Sequence, residues 1–258
     1  MTLLPAKQRI RASFDRAAAS YDAAAVVQRQ VCERLLEGFE LPAARTRPAI
    51  LDAGCGTGYG ARLLRSRWPD AHLTVADFAP AMLDLARRSA DACLAADIEA
   101  LPFATQRFDA WWSSLSVQWC DPARVFAEAA RVLRPQGRLA VSTLGPATFH
   151  ELRSAFSTVD RYRHTLPFSA PATLRTTLQQ AGFSGIALRR ETLTLHYPDL
   201  KTLLRVVKAI GANPLGAGAR SGMMGRTAWQ ALEAAYEQQR TPAGLPASYD
   251  VLFAYAER

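Results

Sequence analysis

The stretch Pro48-Ala-Ile-Leu-Asp52-Ala53-Gly54-Cys-Gly56-Thr-Gly58-Tyr59 constrains this 258-residue chain more than any other. An apolar run that ends in an acid and breaks into three alternate glycines reads as a buried parallel strand, a tight turn and a helix that opens near Gly58. Glycines let a backbone approach a ligand closely, and the helix N-terminus beyond them offers free N–H groups to an anion. The turn is therefore where a ligand sits.

The loop departs from the dinucleotide fingerprint G-x-G-x-x-G/A, because the sixth residue from Gly54 is Tyr59 and Asp52 stands just ahead of the first glycine. A carboxylate there repels a pyrophosphate. It suits a ligand with an ammonium or sulfonium group, whose own carboxylate could lie against the loop N–H groups. S-adenosylmethionine carries all three charges. A second acid, Asp77, ends the apolar run Ala71–Asp77, where ribose hydroxyls would be received. A third, Asp97, ends Ala92–Asp97, where an acid can accept from an adenine amino group. Ordinary strand-end turns with solvated acids are the plainer reading of any one of these; the set of three is specific.

Asp52-x-Gly54-x-Gly56-x-Gly58, then Asp77, then Asp97-Ile98-Glu99 resemble the class I S-adenosylmethionine-dependent methyltransferases over roughly residues 48 to 144. The resemblance implies an α/β fold: a Rossmann-like seven-stranded sheet with an N-terminal helical segment and a helical substrate lid. It implies S-adenosylmethionine as cofactor, held by Asp52, Ala53, Gly54, Gly56, Gly58, Asp77, Phe78, Met82, Asp97, Ile98, Ser114, Gln118 and Trp119. Phe78 and Met82 flank Asp77 and could pack on the adenine, although Met82 reads equally well as helix core.

At 49% hydrophobic residues the chain can bury one large core, so a single methyltransferase domain is expected over 1–258: an N-terminal helical segment (1–45), a cofactor core (46–145) and substrate-side helices with the last strands (146–258). Met1-Thr-Leu-Leu-Pro-Ala-Lys lacks the order of a signal peptide and no apolar run approaches a membrane span, which suggests a cytoplasmic protein with no membrane partner. Cys32, Cys55, Cys93 and Cys120 form no C-x-x-C pair, so neither a metal site nor a disulfide framework is expected. A net charge of +8 favours acidic partners, but the cations are spread without a run of five, which weakens a nucleic-acid reading.

Residues 6 to 19 have helical composition, Ser20-Tyr21-Asp22 is expected to break the pattern, and a second helix runs to about Phe39. Such a segment commonly closes over the cofactor in this fold, which gives Tyr21 either a site role or that of a surface hinge. Gln28 and Arg29 on the second helix are weaker candidates. Phe108–Leu115 is the fourth strand, and Ser116-Val-Gln118-Trp119 after it lies at the carboxyl edge of the sheet, where open α/β sheets hold their chemistry. Trp111 and Trp112 read as packing. The fifth strand is expected over Arg138–Leu144, with helices over Thr148–Val159, Pro171–Ala181, Leu200–Ile210 and Arg226–Arg240, strands over Ile186–Leu195 and Tyr249–Ala256, and a glycine-rich loop over Gly211–Gly225. The helices beyond the fifth strand exceed the family's minimal fold and are where substrate choice must reside.

A carbon or phenol acceptor would need a general base, and His72, His150, His164 and His196 are the few candidates. A carboxylate acceptor is already ionised and would need cations to orient it. Arg205 and Lys208, three apart on an otherwise apolar helix, are either those cations or a solvated stripe. Arg16-Ala-Ala-Ala-Ser-Tyr21-Asp22, Gln28-Arg29-Gln30, Ser116-Val-Gln118-Trp119-Cys120, Arg205-Val-Val-Lys208-Ala-Ile-Gly211-Ala and Gly244-Leu-Pro-Ala-Ser-Tyr249 together resemble the malonyl-carrier-protein O-methyltransferases of biotin synthesis, over nearly the whole chain. That resemblance implies methylation of the free carboxylate of a malonyl thioester on acyl carrier protein, with no nucleic acid involved. Arg205 would orient the carboxylate and Lys208 neutralise it, Tyr21 would stand near the acceptor, and His164, in the loop Asp160–Phe168, is a further contact. A small-molecule methyltransferase acting on a free acid or a quinone precursor would share the same cofactor core.

Overall fold

The computed structural model describes residues 6–42, 46–212 and 224–258. Two helices lead, α1 (Lys7–Ala24) and α2 (Val26–Glu37), followed by β1 (Ala49–Ala53), α3 (Tyr59–Arg67), β2 (His72–Asp77), α4 (Pro80–Ala86), β3 (Ala92–Ala95) and β4 (Phe108–Ser114). Then come α5 (Pro122–Val132), β5 (Leu133–Leu144), α6 (His150–Ser157), α7 (Pro171–Gln180), β6 (Ser184–Tyr197), α8 (Leu200–Ala209), α9 (Arg226–Glu237) and β7 (Leu245–Glu257).

The strands form one seven-stranded sheet in the order β3-β2-β1-β4-β5-β7-β6. Neighbours from β3 to β5 are parallel, while β7 runs antiparallel to both β5 and β6. Strand order reverses between β1 and β4, so the carboxyl ends of those two strands flank the crevice where a doubly wound sheet binds its ligand. The register sets Asp52 beside Val75 on one side and Trp112 on the other. The acid thus lies at the centre of the sheet's edge.

Parallel strands covered on both faces read as continuous apolar runs, and alternate residues go to opposite layers. Leu51 and Trp111 pack into the layer with Val125, Phe126 and Val132 of α5. Ile50 and Trp112 enter the other layer with Val31, Leu35 and Phe39 from α2 and its exit. α5 starts where Asp121 accepts the Ala123 N–H at 3.0 Å and Pro122 takes the first helical position, both favourable at a helix start. Its stripe Val125, Phe126, Ala129 and Val132 is fully buried.

Three expectations need correction. Ser20-Tyr21-Asp22 does not break the first helix: α1 continues to Ala24, and the chain turns at the buried Ala25. Serine and aspartate disrupt helices by competing for nearby backbone groups. Here the Asp22 carboxylate is engaged by the Thr57 hydroxyl at 2.6 Å and the Ser20 hydroxyl reaches the Ala209 carbonyl, so tertiary partners absorb that competition. β5 starts at Leu133 rather than Arg138, because Leu133 pairs with Phe108 of β4 ahead of a register shift, and the stretch between is held by Arg258: Gln136 N–H donates to its carbonyl and its N–H to the Gly137 carbonyl. The helix from Pro171 is not part of a lid either. Leu174 and Leu178 of α7 join Phe126 and Val132 in the core under the sheet.

Helices α6, α8 and α9 instead share a separate apolar cluster built on Leu152, Phe156, Leu203, Leu232 and Tyr236. Of the glycine-rich loop expected over Gly211–Gly225, residues 213–223 lie outside the described residues. All four cysteines are free thiols.

Candidate active site

The turn after β1 is tied to the end of β2: Gly54 and Cys55 N–H both donate to the Ala76 carbonyl, at 2.7 and 3.1 Å. Gly54 has φ +75°, and a Cβ there would fall 2.4 Å from Ser116 Oγ. The glycine lets the loop after β4 close on the turn, where the Ser116 hydroxyl donates to the Gly54 carbonyl at 2.9 Å. At Gly56 a Cβ would meet nothing within 4 Å. That side of the turn is open to a ligand.

Asp52 is buried, and its Oδ2 has no hydrogen-bond partner. Burial, then the charge of Asp77, push its carboxyl up to about 7, against one N–H bond from Ala61. Burial also pushes Asp77 up to about 6, opposed by the Ala79 and Gly56 N–H groups, each 2.9 Å from one of its oxygens. The indole nitrogen of Trp112 is a second buried orphan, and it and Asp52 Oδ2 would each lie 3.0 Å from a Cβ on Gly60. Two raised carboxyls and an unpartnered oxygen are the environment that a ligand cation relieves. These residues fit S-adenosylmethionine.

Asp52, Gly54, Gly56 and Asp77 line a cavity of about 110 Å³, with Phe78, Met82, Asp97, Ile98, Ser114 and Trp119 on its other walls. Ala53 and Gly58 do not line it: Ala53 is sheet core, and a Cβ on Gly58 would meet Ala86 at 2.9 Å, so that glycine seats α3 on α4. Met82 lines the cavity and also packs with Ala18 of α1. Trp112, expected to serve only packing, also lines the cavity.

Lys7, which nothing in the sequence singles out, reaches from the start of α1 to bond Asp97 and sits 2.8 Å from Glu99. Asp97, Glu99 and Cys120 place three ligand-type atoms within 4.8 Å of one another. Lys7 pairs with both carboxylates and Arg124 with Glu99 at 3.3 Å, so two cations already balance the two acids, and burial raises the Cys120 thiol far above its usual range, so the sulfur stays protonated. This is not the donor set of a metal centre.

A second cavity, of about 250 Å³, adjoins the first. Phe14, Tyr21, Gln28, Leu115 and Trp119 line both, so they are the junction. Its remaining walls are mainly apolar, with Phe149, Phe156 and Phe168 the large aromatics, and among the described residues no aspartate or glutamate lines it. The sequence gives these phenylalanines no signal beyond ordinary helix or loop core. Gln118, assigned from sequence to the cofactor, lines this second cavity instead, its amide donating to the Leu115 carbonyl at 2.6 Å. Tyr249, Thr165 and His164 are further polar groups on the wall. His164 Nε2 lies 2.7 Å from Asp160 Oδ1, and its ring stacks on Phe156 with centroids 3.4 Å apart.

Tyr21 comes from α1 to the junction. Burial, with the charges of Asp77 and Asp22, raises its hydroxyl far above the usual tyrosine range, so it remains a protonated donor. Arg205 and Lys208 share an exposed face of α8, but only one of them reaches a cavity. Lys208 stands at the wall of the second cavity, whereas Arg205 is exposed and lines neither cavity.

A methyltransferase-domain family model matches residues 51–141. Among solved structures, the YcgJ protein of Bacillus subtilis superposes with a TM-score of 0.61 at 14% identity, over 89% of this chain and 98% of that one, which is a likeness of fold. The malonyl-acyl carrier protein O-methyltransferase of Dechloromonas aromatica is 53% identical over 98% of this chain and 95% of its own length. The enzyme of the same name from Laribacter hongkongensis is 45% identical over 98% of this chain and 89% of its own. The biotin biosynthesis bifunctional protein BioHC of Cellvibrio japonicus is 42% identical over 96% of this chain, which matches 49% of that longer protein. With a cofactor crevice of the right chemistry and relatives this similar along nearly its whole length, the chain belongs to the malonyl-acyl carrier protein O-methyltransferase family.

Proposed function

We propose that the chain transfers the methyl group of S-adenosylmethionine to the free carboxylate of a malonyl thioester carried on acyl carrier protein. The product is the methyl ester that starts the pimeloyl chain of biotin, its terminal charge masked so that elongation enzymes accept it. The observation that carries this reading is the junction: a cavity walled by buried acids opens, through Tyr21, Gln28 and Trp119, into one with no acid and a lysine on its wall. The buried acids Asp52 and Asp77 favour a cationic centre in the first, and the second offers Lys208 to an anionic acceptor with no such acid beside it.

When bound, S-adenosylmethionine supplies an electrophilic methyl on a sulfonium. Asp52 and Asp77 hold its cationic and hydroxyl groups, and Asp97 its adenine. The malonyl carboxylate is ionised at neutral pH and needs no base, so what the protein provides is placement and desolvation, worth on the order of 7–11 kcal/mol at best. The Tyr21 hydroxyl and the Gln28 amide are donors at the junction for that carboxylate, and Lys208 offsets its charge. His164, held by Asp160, presents its ring to the acyl arm rather than acting as a base. Among the described residues no helix is long and apolar enough to cross a membrane.

Tyr21→Phe tests this assignment. Losing a hydrogen bond to a charged group costs about 1.5–3 kcal/mol, so kcat/KM for the malonyl substrate should fall roughly ten- to a hundredfold. Cofactor affinity by calorimetry should stay within about twofold. An unchanged kcat/KM with weakened cofactor binding would assign Tyr21 to the cofactor alone.

A further inference from the structure

α1 and α8 lie side by side at the rim of the second cavity. Ser13 and Ser20 hydroxyls on α1 donate to the carbonyls of Gly211 and Ala209, at 3.1 and 3.2 Å. Phe14 and Tyr21 of α1 and Leu204, Val207 and Lys208 of α8 line the cavity from within. The helical repeat of 3.6 residues then fixes what the pair shows to solvent. On α1, Arg9 and Arg16 fall in the same arc as Ser13 and Ser20, and on α8, Lys201, Arg205 and Lys208 fall in a single arc of about 60°. All five cations are exposed.

The acids of these helices are committed elsewhere. Asp15 accepts the Ala81 N–H at 3.1 Å and Asp22 the Thr57 hydroxyl, both on the face of α1 turned toward the cofactor core. Asp199 caps α8 by accepting the Thr202 N–H at 2.6 Å; that bond, and then the charges of Arg205 and Lys201, hold its carboxyl below the usual range. Among the described residues none of the five cations forms an ion pair, whereas Arg11, on another face of α1, pairs with Asp15. The result is a row of five cations against the single Asp199 carboxylate along two adjoining helices, a net positive face at the mouth of a cavity that must admit a thioester arm.

We propose that this α1–α8 face docks the acidic surface of acyl carrier protein, so that the arm bearing the malonyl thioester enters the second cavity between the two helices. The inference rests on the function proposed above and adds to it the surface that selects the carrier. Arg205, which lines neither cavity, belongs to this surface rather than to the acceptor site. Rim charges of this kind act mainly on encounter and salt dependence, not on the chemical step.

The test compares Arg16→Glu/Lys201→Glu with a control carrying the same charge change elsewhere on the surface, Arg88→Glu/Arg107→Glu. Binding of fluorescently labelled holo-carrier protein is measured by anisotropy from low to high salt. KM and kcat are measured with malonyl-carrier protein and with malonyl-pantetheine. The proposal expects the α1–α8 variant to bind the carrier at least tenfold more weakly at low salt, with a flattened salt dependence and a matching rise in KM for malonyl-carrier protein. Cofactor affinity and turnover of malonyl-pantetheine should stay at wild-type values, as should every property of the control. Carrier binding equal in the two variants, or no binding to the wild-type enzyme, overturns it. Failure of the wild-type enzyme to methylate either malonyl substrate would instead overturn the proposed function, and the anisotropy titration would still report on the surface.

Discussion

Asp52 shows how a single residue is poised for a ligand. A carboxylate with one oxygen unpartnered in a buried cavity is a cost to the cofactor-free fold, and its carboxyl is accordingly pushed up to about 7, with Asp77 up to about 6. Raised carboxyls bind protons more tightly in the folded than in the unfolded chain. The stability they contribute is therefore full below pH ~4, the unfolded value, and is lost as pH rises through the folded values. A bound cation favours the ionised forms and reverses that trend. Cofactor affinity by calorimetry should rise between pH 5.5 and 8, and Asp52→Asn should flatten the rise while making the cofactor-free protein more stable near neutral pH. An affinity independent of pH over that range, in wild type and variant alike, would remove Asp52 from the cation's site. Asp52, Asp77 and Asp97 are legible in the sequence because each ends an apolar run, where backbone period alone fixes position. Lys7 is not: a lone lysine at the start of a helix acquires its role only when the fold brings Asp97 and Glu99, some ninety residues on, against it.

At the scale of elements, α1 is the part that decides access. It touches the core through Lys7 at Asp97, Asp15 at the Ala81 N–H and Asp22 at Thr57, and packs Ile10 and Ala18 beneath it. These attachments are mostly polar and partly exposed, so α1 can open as a unit more cheaply than any strand of the sheet. Lys7→Ala removes two ion pairs, one to the part-exposed Asp97 and one to the buried Glu99, which Arg124 still reaches at 3.3 Å, so the melting temperature should fall by only a few degrees. Amide exchange over residues 7–24 should nonetheless accelerate, and cofactor dissociation with it. Exchange unchanged in α1 would show that apolar packing alone holds the helix. The apolar periods of α5 and α8 are readable in the chain, because a stripe at helical spacing has one way to be buried. What covers the stripe is not readable. α7 carries an apolar pair at helical spacing, Leu174 and Leu178, as the lid helices carry theirs, yet it packs beneath the sheet, and the break expected at Ser20–Asp22 is suppressed by partners on α8 and the glycine turn.

Over the whole molecule, the sheet order is what brings the parts together. The reversal between β1 and β4 opens a crevice at their carboxyl ends, α1 and α2 close one side, and α6 and α8 line the other. The cofactor half follows from local patterns, since each strand, turn and helix is encoded in a run of about ten residues. The acceptor half assembles Phe14, Gln118, Phe156, Lys208 and Tyr249 from five distant segments, which no local pattern specifies. The charge of the chain fits the same division: a net of +8 resides on a molecule whose buried site is acidic, so the excess is on the outside, where it can attract an acidic carrier. The most direct measurement is transfer of labelled methyl from S-adenosylmethionine to malonyl-carrier protein, with acetyl-carrier protein beside it. Base-labile label on the malonyl form and none on the acetyl form is the expected result. Equal label on both, or none on either while the cofactor binds, would contradict the free carboxylate as the methyl acceptor.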